Sequence, residues 1–301
     1  MMGKFGVVLL AAILAGCTGD RTGADQSATN GSQGDPPTVV EIVDEVVTST
    51  EGSQTFPAID PTTGDLWYSE IGESFDEQTI LVARRTAAGW ATPEVASFSG
   101  RWGDRAPRFS PDGSFMLITS NRPVSHSDEG GDMNVWRLDR AADGWSDPRL
   151  VETELNSDAP DIHPSITNSG IWVASRRDGS LGQSDLYRID AEGRATHLGA
   201  PLNDELSQPD LWVSPDETWM ILAITDHPEG FGGDDLYVTW LASGQWVTPV
   251  NLGPEINTAE YEYGPWVSLD EGILYFTSHR DGPSHVYRVD LSVVDQIKLA
   301  H

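Results

Sequence analysis

The sequence predicts an all-β fold, a five-bladed β-propeller with four-stranded antiparallel blades, closed by the N-terminal strand. Three observations carry the prediction. A unit of about fifty residues recurs five times; each copy is built from short β-branched and aromatic runs; and one more run of that kind precedes the first copy.

Anchored on its turn, the unit opens with DPTTG at Asp60, SPDG at Ser110, TNSG at Thr167, SPDE at Ser214 and SLDEG at Ser268, at spacings of 50, 57, 47 and 54 residues. In these turns Asp112-Gly113 permits a tight reversal, because glycine accepts positive φ and aspartate bonds its own backbone. Asp216 and Asp270 stand where Asp112 does. The spaced oxygen ligands and closing glutamate of a calcium loop are missing, so the turns are structural.

The first strand after each turn reads LWYSE, FMLITS, IWVAS, WMILAIT and ILYFTS; the second reads TILVARR, NVWRLDR, DLYRID, DLYVTWL and HVYRVDL. Three units add GWATP, GWSDP and GQWVTP, which place Trp90, Trp145 and Trp246 nine residues beyond Leu81, Trp136 and Tyr237. Gly, Pro, Asn and Asp cut the runs, and no 3.6-residue apolar period persists, so strands are expected and helices are not. Four short strands per fifty residues make one propeller blade. A lone blade leaves both faces uncovered, whereas a ring of blades covers each face with its neighbour. The fifth unit lacks its W-x-x-P element. The run Val39 to Val47 is expected to complete that blade and remove the open edge; alternatively Val293 to Leu299 supplies the strand.

Ahead of the repeats, residues 1–16 (MMGKFGVVLLAAILAG) have one lysine, an apolar run and a small-residue exit, the pattern of a secretory signal peptide. Their end, Leu14-Ala15-Gly16-Cys17, resembles the bacterial lipobox. That resemblance implies cleavage before Cys17, its acylation, and anchoring to a membrane by more than one chain. Thr18 in place of a retaining aspartate implies the outer membrane, facing either the periplasm or the cell surface. Residues 17–37 then form a lipidated cysteine and a flexible tether, whose last twenty residues extend roughly 66 Å. Residues 38–301 form the propeller.

Cys17 is the only cysteine, so the folded part has neither disulfide nor thiolate chemistry. Removing the leader leaves 17 basic against 47 acidic residues, a net charge of −30. Such a surface repels nucleic acid and anionic headgroups; it serves solubility or, alternatively, suits a basic partner or a cation-rich ligand. No cofactor or metal is expected. The seven histidines show no H-x-x-x-H or HExxH spacing, no helix is available for a G-x-S-x-G elbow, and the loops DEGGD (128–132) and FGGDD (231–235) lead into strands.

Two columns of polar residues recur ahead of each turn. Ser49, Ser99, Asn156, Asn203 and Asn257 form one; Gln54, Asp104, Asp161, Gln208 and Glu262, five residues further on, form the other. A third column holds Arg122, Arg177 and Arg280, with Ile71 and His227 in the remaining units. All five acid or amide positions are expected to surround one channel mouth. Their recurrence in every blade points to a structural pairing of acid with arginine. A second role is a binding rim made of Gln54, Asp104, Asp161, Gln208, Glu262, Arg122, Arg177 and Arg280. A third is glycoside hydrolysis by Asp104, Asp161 and Glu262, with Trp102, Tyr261, Tyr263 and Trp266 stacking on sugar; this needs carboxyl groups ~5–5.5 Å apart for retention or ~6.5–9.5 Å for inversion.

The whole unit, N-x-x-x-x-[E/D]-x-x-P-x-x-S-P-D-G followed by S-x-R, D-L-Y and W-x-x-P, resembles the WD-like propeller repeat of TolB-like periplasmic proteins, in the version found in OmpA-linked envelope lipoproteins. The resemblance spans residues 38 to 301 and implies a non-enzymatic scaffold or binding module for an envelope protein or glycan. Its peptidoglycan-binding segment has no counterpart before His301, so that role is not carried over. Carbohydrate hydrolysis stands as the alternative, and the oligomeric state is left open.

Overall fold

In a computed structural model, which describes residues 39–48, 52–125 and 130–301, five antiparallel sheets form the blades of a propeller. The leader, Cys17 and the tether lie outside the described residues, as do Ser49 and His126. From the innermost strand outward, blade 1 comprises Gln54–Ile59, Leu66–Ile71, Gln78–Ala83 and Glu94–Val95. Blade 2 comprises Asp104–Phe109, Phe115–Ser120, Asn134–Ala141 and Arg149–Leu150; blade 3, Asp161–Ile166, Ile171–Ser175, Asp185–Ile189 and Ala195–His197. Blade 4 comprises Ser207–Val213, Trp219–Thr225, Asp234–Ala242 and Val250–Asn251; blade 5, Glu262–Ser268, Ile273–Ser278, His285–Asp290 and the N-terminal Glu41–Ile42.

The closure is the one expected from the N-terminal run: Glu41 pairs with Arg288 and Ile42 with Tyr287. The strand is shorter than Val39–Val47, because Asp44 accepts a hydrogen bond from the Val46 N–H and starts a helical turn, Glu45–Thr48. The alternative outer strand, Val293–Leu299, is instead part of a helix, Ser292–Ala300. Val293, Val294 and Ile297 share the face it packs on the core, and Asp295 and Lys298 suit its two ends. The two adjacent valines read as strand in isolation, and packing decides otherwise. Among the described residues no helix is long and apolar enough to cross a membrane.

The core lies between blades. Leu117 and Val135 of blade 2 meet Ile166, Val173 and Tyr187 of blade 3. Ile162 and Trp172 of blade 3 meet Leu211, Met220 and Leu222 of blade 4. Two of the W-x-x-P tryptophans reach back one blade: Trp145 packs edge-on against Trp67 at 6.2 Å, and Trp246 against Trp172 at 5.8 Å, while Trp90 donates its indole N–H to the Gly64 carbonyl of its own blade. Ion pairs follow the same path, with Arg140 on Asp60, Arg85 on Glu271, and Glu217 taking Arg188, Thr167 and Trp172.

Each innermost strand carries a bulge near its start, marked by a register shift between Thr55 and Ala58, Arg105 and Arg108, Ile162 and Ser165, Ser207 and Asp210, and Tyr263 and Trp266. In four of them the bulge residue is left-handed: Phe56 (φ 53°), Ala106 (φ 50°), His163 (φ 51°) and Gly264 (φ 61°). Proline follows each, and proline has no N–H to strand at the interrupted ladder. A Cβ on Gly264 would come within 3.0 Å of the Phe56 ring, which explains the glycine there. In blades 1, 2 and 3 the freed N–H crosses to a hydroxyl of the preceding blade: Phe56 to Thr277, Ala106 to Ser69 and His163 to Thr119, at 3.0–3.1 Å.

Thr119→Val keeps the shape but strands the buried His163 N–H, so it should lower the urea unfolding free energy by about 1–3 kcal/mol, whereas Thr119→Ser should be nearly neutral. Equal stabilities for the two variants would show that the inter-blade bond contributes nothing.

Candidate functional site

The recurring polar columns resolve into two devices. Asn156, Asn203 and Asn257 act as surrogate strand edges: each carboxamide oxygen accepts from, and each nitrogen donates to, the backbone of one third-strand residue, Val135, Leu186 and Leu236 respectively. Ser99 does half of this, accepting from the Ile80 N–H.

The acid or amide column sits at the start of each innermost strand and is fully buried. Asp104 accepts from Arg122 at 2.5 Å and from Ser120 at 2.6 Å. Asp161 accepts from Arg177 at 2.6 Å and from the Ser157 N–H and hydroxyl. Glu262 accepts from Ser278 and from the Thr258 N–H and hydroxyl; Arg280 binds the same Ser278 and the Ile256 carbonyl without touching the acid. Gln54 donates to Val47 and lies 3.1 Å from His285, while Gln208 donates to Asp204. The arginines lie over the aromatic ring of their own third strand: Arg122 on Trp136, Arg177 on Tyr187 and Arg280 on Tyr287. Blade 4 replaces the arginine by His227 against Tyr237. In blade 1, Gln54 pairs with Glu70, so Gly72 rather than Ile71 is the counterpart of Arg122, and Leu81 stands in the aromatic place.

These latches therefore lie beneath the surface, and Asp104, Asp161 and Glu262 are each enclosed by their own blade. The accessible site is built from the residues that follow them. At the same end of the innermost strands a cavity of about 430 Å³ draws on all five blades. Blades 2 and 3 contribute Arg105, Arg176 and His163; blade 4 contributes Asp210 and Asp234; blades 5 and 1 contribute Tyr261, Tyr263, His279, Phe56 and Phe75. The wall is thus basic, acidic and aromatic in turn around the ring. Of the aromatics expected to stack on a ligand, Tyr261 and Tyr263 are here, while Trp266 lines a cavity of about 160 Å³ at the strands' other end and Trp102 lies under Arg101.

Asp210 is the electrostatic centre of the cavity. Its Oδ1 lies 2.5 Å from His163 Nδ1, which also sits 2.9 Å from the Pro209 carbonyl; His163 Nε2 is buried without a partner. The His163 ring stacks on Phe56 at 4.3 Å. Deeper in the channel Arg108 is completely buried, with Nη1 on the Pro57 and Pro107 carbonyls. Burial lowers its pKa to about 10, against the pull of Asp210. Burial likewise lowers the pKa of Arg105, opposed by Asp76 and Asp210 and assisted by Arg176. Asp234 is pushed up to about 6, chiefly by burial and further by Asp210, Asp226 and Asp235, while the Thr225 hydroxyl resists. Burial also holds His279 below its usual range and Tyr263 above its own. Such a site can bind a polar ring-bearing ligand, hold an anionic group, and exchange a proton near neutrality. Among the described residues no three His, Cys, Asp or Glu side chains converge to hold a metal.

No protein-family model matches the sequence, and no curated protein does. Solved structures similar to this chain include a puromycin-hydrolysing peptidase of Mycobacterium tuberculosis (14% identity, TM-score 0.42), matched over 65% of this chain and 28% of its own, so this chain spans under a third of its length. A gluconolactonase of Xanthomonas campestris is similar at 12% identity and TM-score 0.46, over 84% of this chain and 89% of its own. An oligogalacturonate lyase of Vibrio parahaemolyticus is similar at 16% identity and TM-score 0.41, over 81% and 68%. None of these likenesses bears on what the chain does.

Two outcomes test this description. Asp161→Ala removes three acceptor bonds and leaves Arg177 half-buried and unpaired, so the unfolding free energy should fall by about 3 kcal/mol; unchanged stability would rule out the latch. For Asp234, the folded state holds the proton to about pH 6 and the unfolded chain only to its ordinary 3.8, so stability falls as pH rises between them. Asp234→Asn should be more stable than the parent at pH 7, on the order of 2 kcal/mol, with the gain gone below pH 4. A gain that persists at pH 3 would mean that its source is not the charge.

Proposed function

We propose that this chain is a cell-envelope propeller, tethered through a lipid on Cys17 at the outer membrane, whose central cavity binds a saccharide of one or a few sugar units without turning it over. The observation that carries the reading is the convergence of five blades on one concave site of about 430 Å³ with polar and aromatic walls. That volume lies in the range of small-ligand sites, whereas the cavity at the other end is too small for a sugar ring with its substituents. Tyr261, Tyr263 and Phe75 offer flat apolar faces to sugar C–H groups, and His163, Asp210 and the arginines offer partners for hydroxyls. The leader and lipobox-like Cys17 support the envelope address, as does the resemblance to TolB-like repeats; a glycan partner fits that compartment.

A second reading, carbohydrate hydrolysis, is favoured by Asp234, which keeps its proton to about pH 6 in the same cavity as Asp210. It transfers the catalytic role from Asp104, Asp161 and Glu262, which are committed to the latches, to Asp234 as proton donor and Asp210 as its partner.

Calorimetric titration with soluble fragments of envelope polysaccharide separates the two. Binding without release of reducing ends is expected, weakened about tenfold in Tyr261→Ala with no change in melting temperature. Reducing ends released by the parent protein and lost in Asp234→Asn would replace binding by hydrolysis, and no binding by any fragment would reject the saccharide site.

A further inference from the structure

Most arginines among the described residues have a carboxylate close by. Arg84, Arg85, Arg122, Arg140, Arg177, Arg188, Arg194 and Arg288 each have one within 3.4 Å, as the excess of 47 acidic over 18 basic residues would lead one to expect. Arg101, Arg108 and Arg280 are held instead by rings, hydroxyls or carbonyls; Arg105 and Arg176 also depart from this pattern, and they do so on neighbouring blades of the same cavity.

Arg105 has only 7% of its side chain exposed, and its one carboxylate, the largely exposed Asp76, is 3.6 Å away. Its guanidinium lies over the Phe75 ring at 5.1 Å and makes one long hydrogen bond, 3.4 Å, to the Phe75 carbonyl. Its Nε is buried with no partner. Arg176 is exposed at the cavity wall and has no ion-pair partner among the described residues. Arg176 is close enough for its charge to disfavour that of Arg105, while Asp210, which favours the Arg105 charge, also favours that of Arg108 and lies 2.5 Å from His163 Nδ1. A protein with so many spare carboxylates has left two guanidinia together, one clamped and one free, where a ligand would sit.

We propose that Arg105 and Arg176 form an anion subsite in the central cavity, and that it takes the carboxylate of an acidic sugar. This rests on the saccharide reading and narrows it to a class. Two guanidinia lining one cavity supply the planar, bidentate donors that suit a carboxylate. Asp210 and Asp234 in the same cavity disfavour a doubly charged group such as a phosphate monoester more than a monoanion. The buried arginine gives direction, because it is held against Phe75, and the exposed one closes over the anion on arrival.

Titration of the intact folded protein with D-glucuronate, D-glucose and D-glucose 6-phosphate, followed by chemical-shift changes, tests the subsite. Glucuronate should bind at least about tenfold more tightly than glucose, with the preference shrinking as salt is raised. Arg176→Gln, at an exposed position, should fold normally and bind the two sugars alike. Equal binding of glucuronate and glucose by the parent protein would overturn the subsite and leave the saccharide cavity standing. So would an undiminished preference in Arg176→Gln, or tighter binding of glucose 6-phosphate than of glucuronate. Failure of both glucose and glucuronate to bind would overturn the subsite together with the saccharide reading beneath it.

Discussion

The propeller depends on one small interaction, the hydrogen bond from a left-handed bulge residue to a hydroxyl of the blade before it. An interrupted ladder would ordinarily leave a buried N–H without a partner, which costs about 1–3 kcal/mol. Here Phe56, Ala106 and His163 spend that donor on Thr277, Ser69 and Thr119, so the defect inside one sheet becomes the joint between two. The left-handed backbone of a non-glycine residue costs on the order of 1 kcal/mol, and the packing of adjacent blades holds it in place. The bulge also decides what faces the channel: it breaks the two-residue alternation and aims side chains at the axis that a regular strand would bury between sheets. Joint and site are thus one feature of the backbone.

That coupling explains which parts of the molecule were legible in the sequence. Residues that make blades must be alike in each copy, and so the turns, the Asn column, the acid column and the reaching tryptophans stood out as repeats. The N-terminal closing strand was legible for the same reason, as a run with no sheet of its own. The pairing of acid with arginine was legible as chemistry, since Asp104 with Arg122 and Asp161 with Arg177 are direct, although Glu262 reaches Arg280 only through Ser278. What repetition could not show is a residue needed once. One or both of the two positions after the acid column line the cavity in every blade: Phe56, Arg105, Ile162 with His163, Pro209 with Asp210, and Tyr263. Their signal is the opposite of a repeat: fixed columns on one side, and residues differing in every copy immediately beyond. The C-terminal helix escaped for a different reason, because Val293-Val294 favours strand locally and only burial with Ile297 selects the helix.

The buried charges of the channel follow a similar division. Asp104 and Asp161 have arginines of their own, and each pair belongs to one blade. Asp210 is shared: its field reaches Arg105, Arg108, Asp234 and Tyr263, and His163 sits against it. Burying unmatched charge is expensive, and apolar residues of similar size would be at least as stable. Arg108 ties blade 2 to the Pro57 carbonyl of blade 1, whereas the side chains of Asp210 and His163 face the cavity. Asp210 and His163 are the part of this buried charge on which the proposed site draws.

The order of residues around that site gives it a direction. Blades 2 and 3 supply Arg105 and Arg176, blade 4 supplies Asp210 and Asp234, and blades 5 and 1 supply rings. A ligand entering this wall meets opposite charges on two sides and a stacking surface on the third, so one orientation is favoured before any close contact forms. Because the wall residues stand on strands joined blade to blade or in loops beside their ends, little backbone freedom remains to be lost on association. Fivefold repetition supplies the rigidity, and the departures from it around the acid column supply the chemical variety of the wall. A propeller with five identical inner strands would keep the first and forfeit the second.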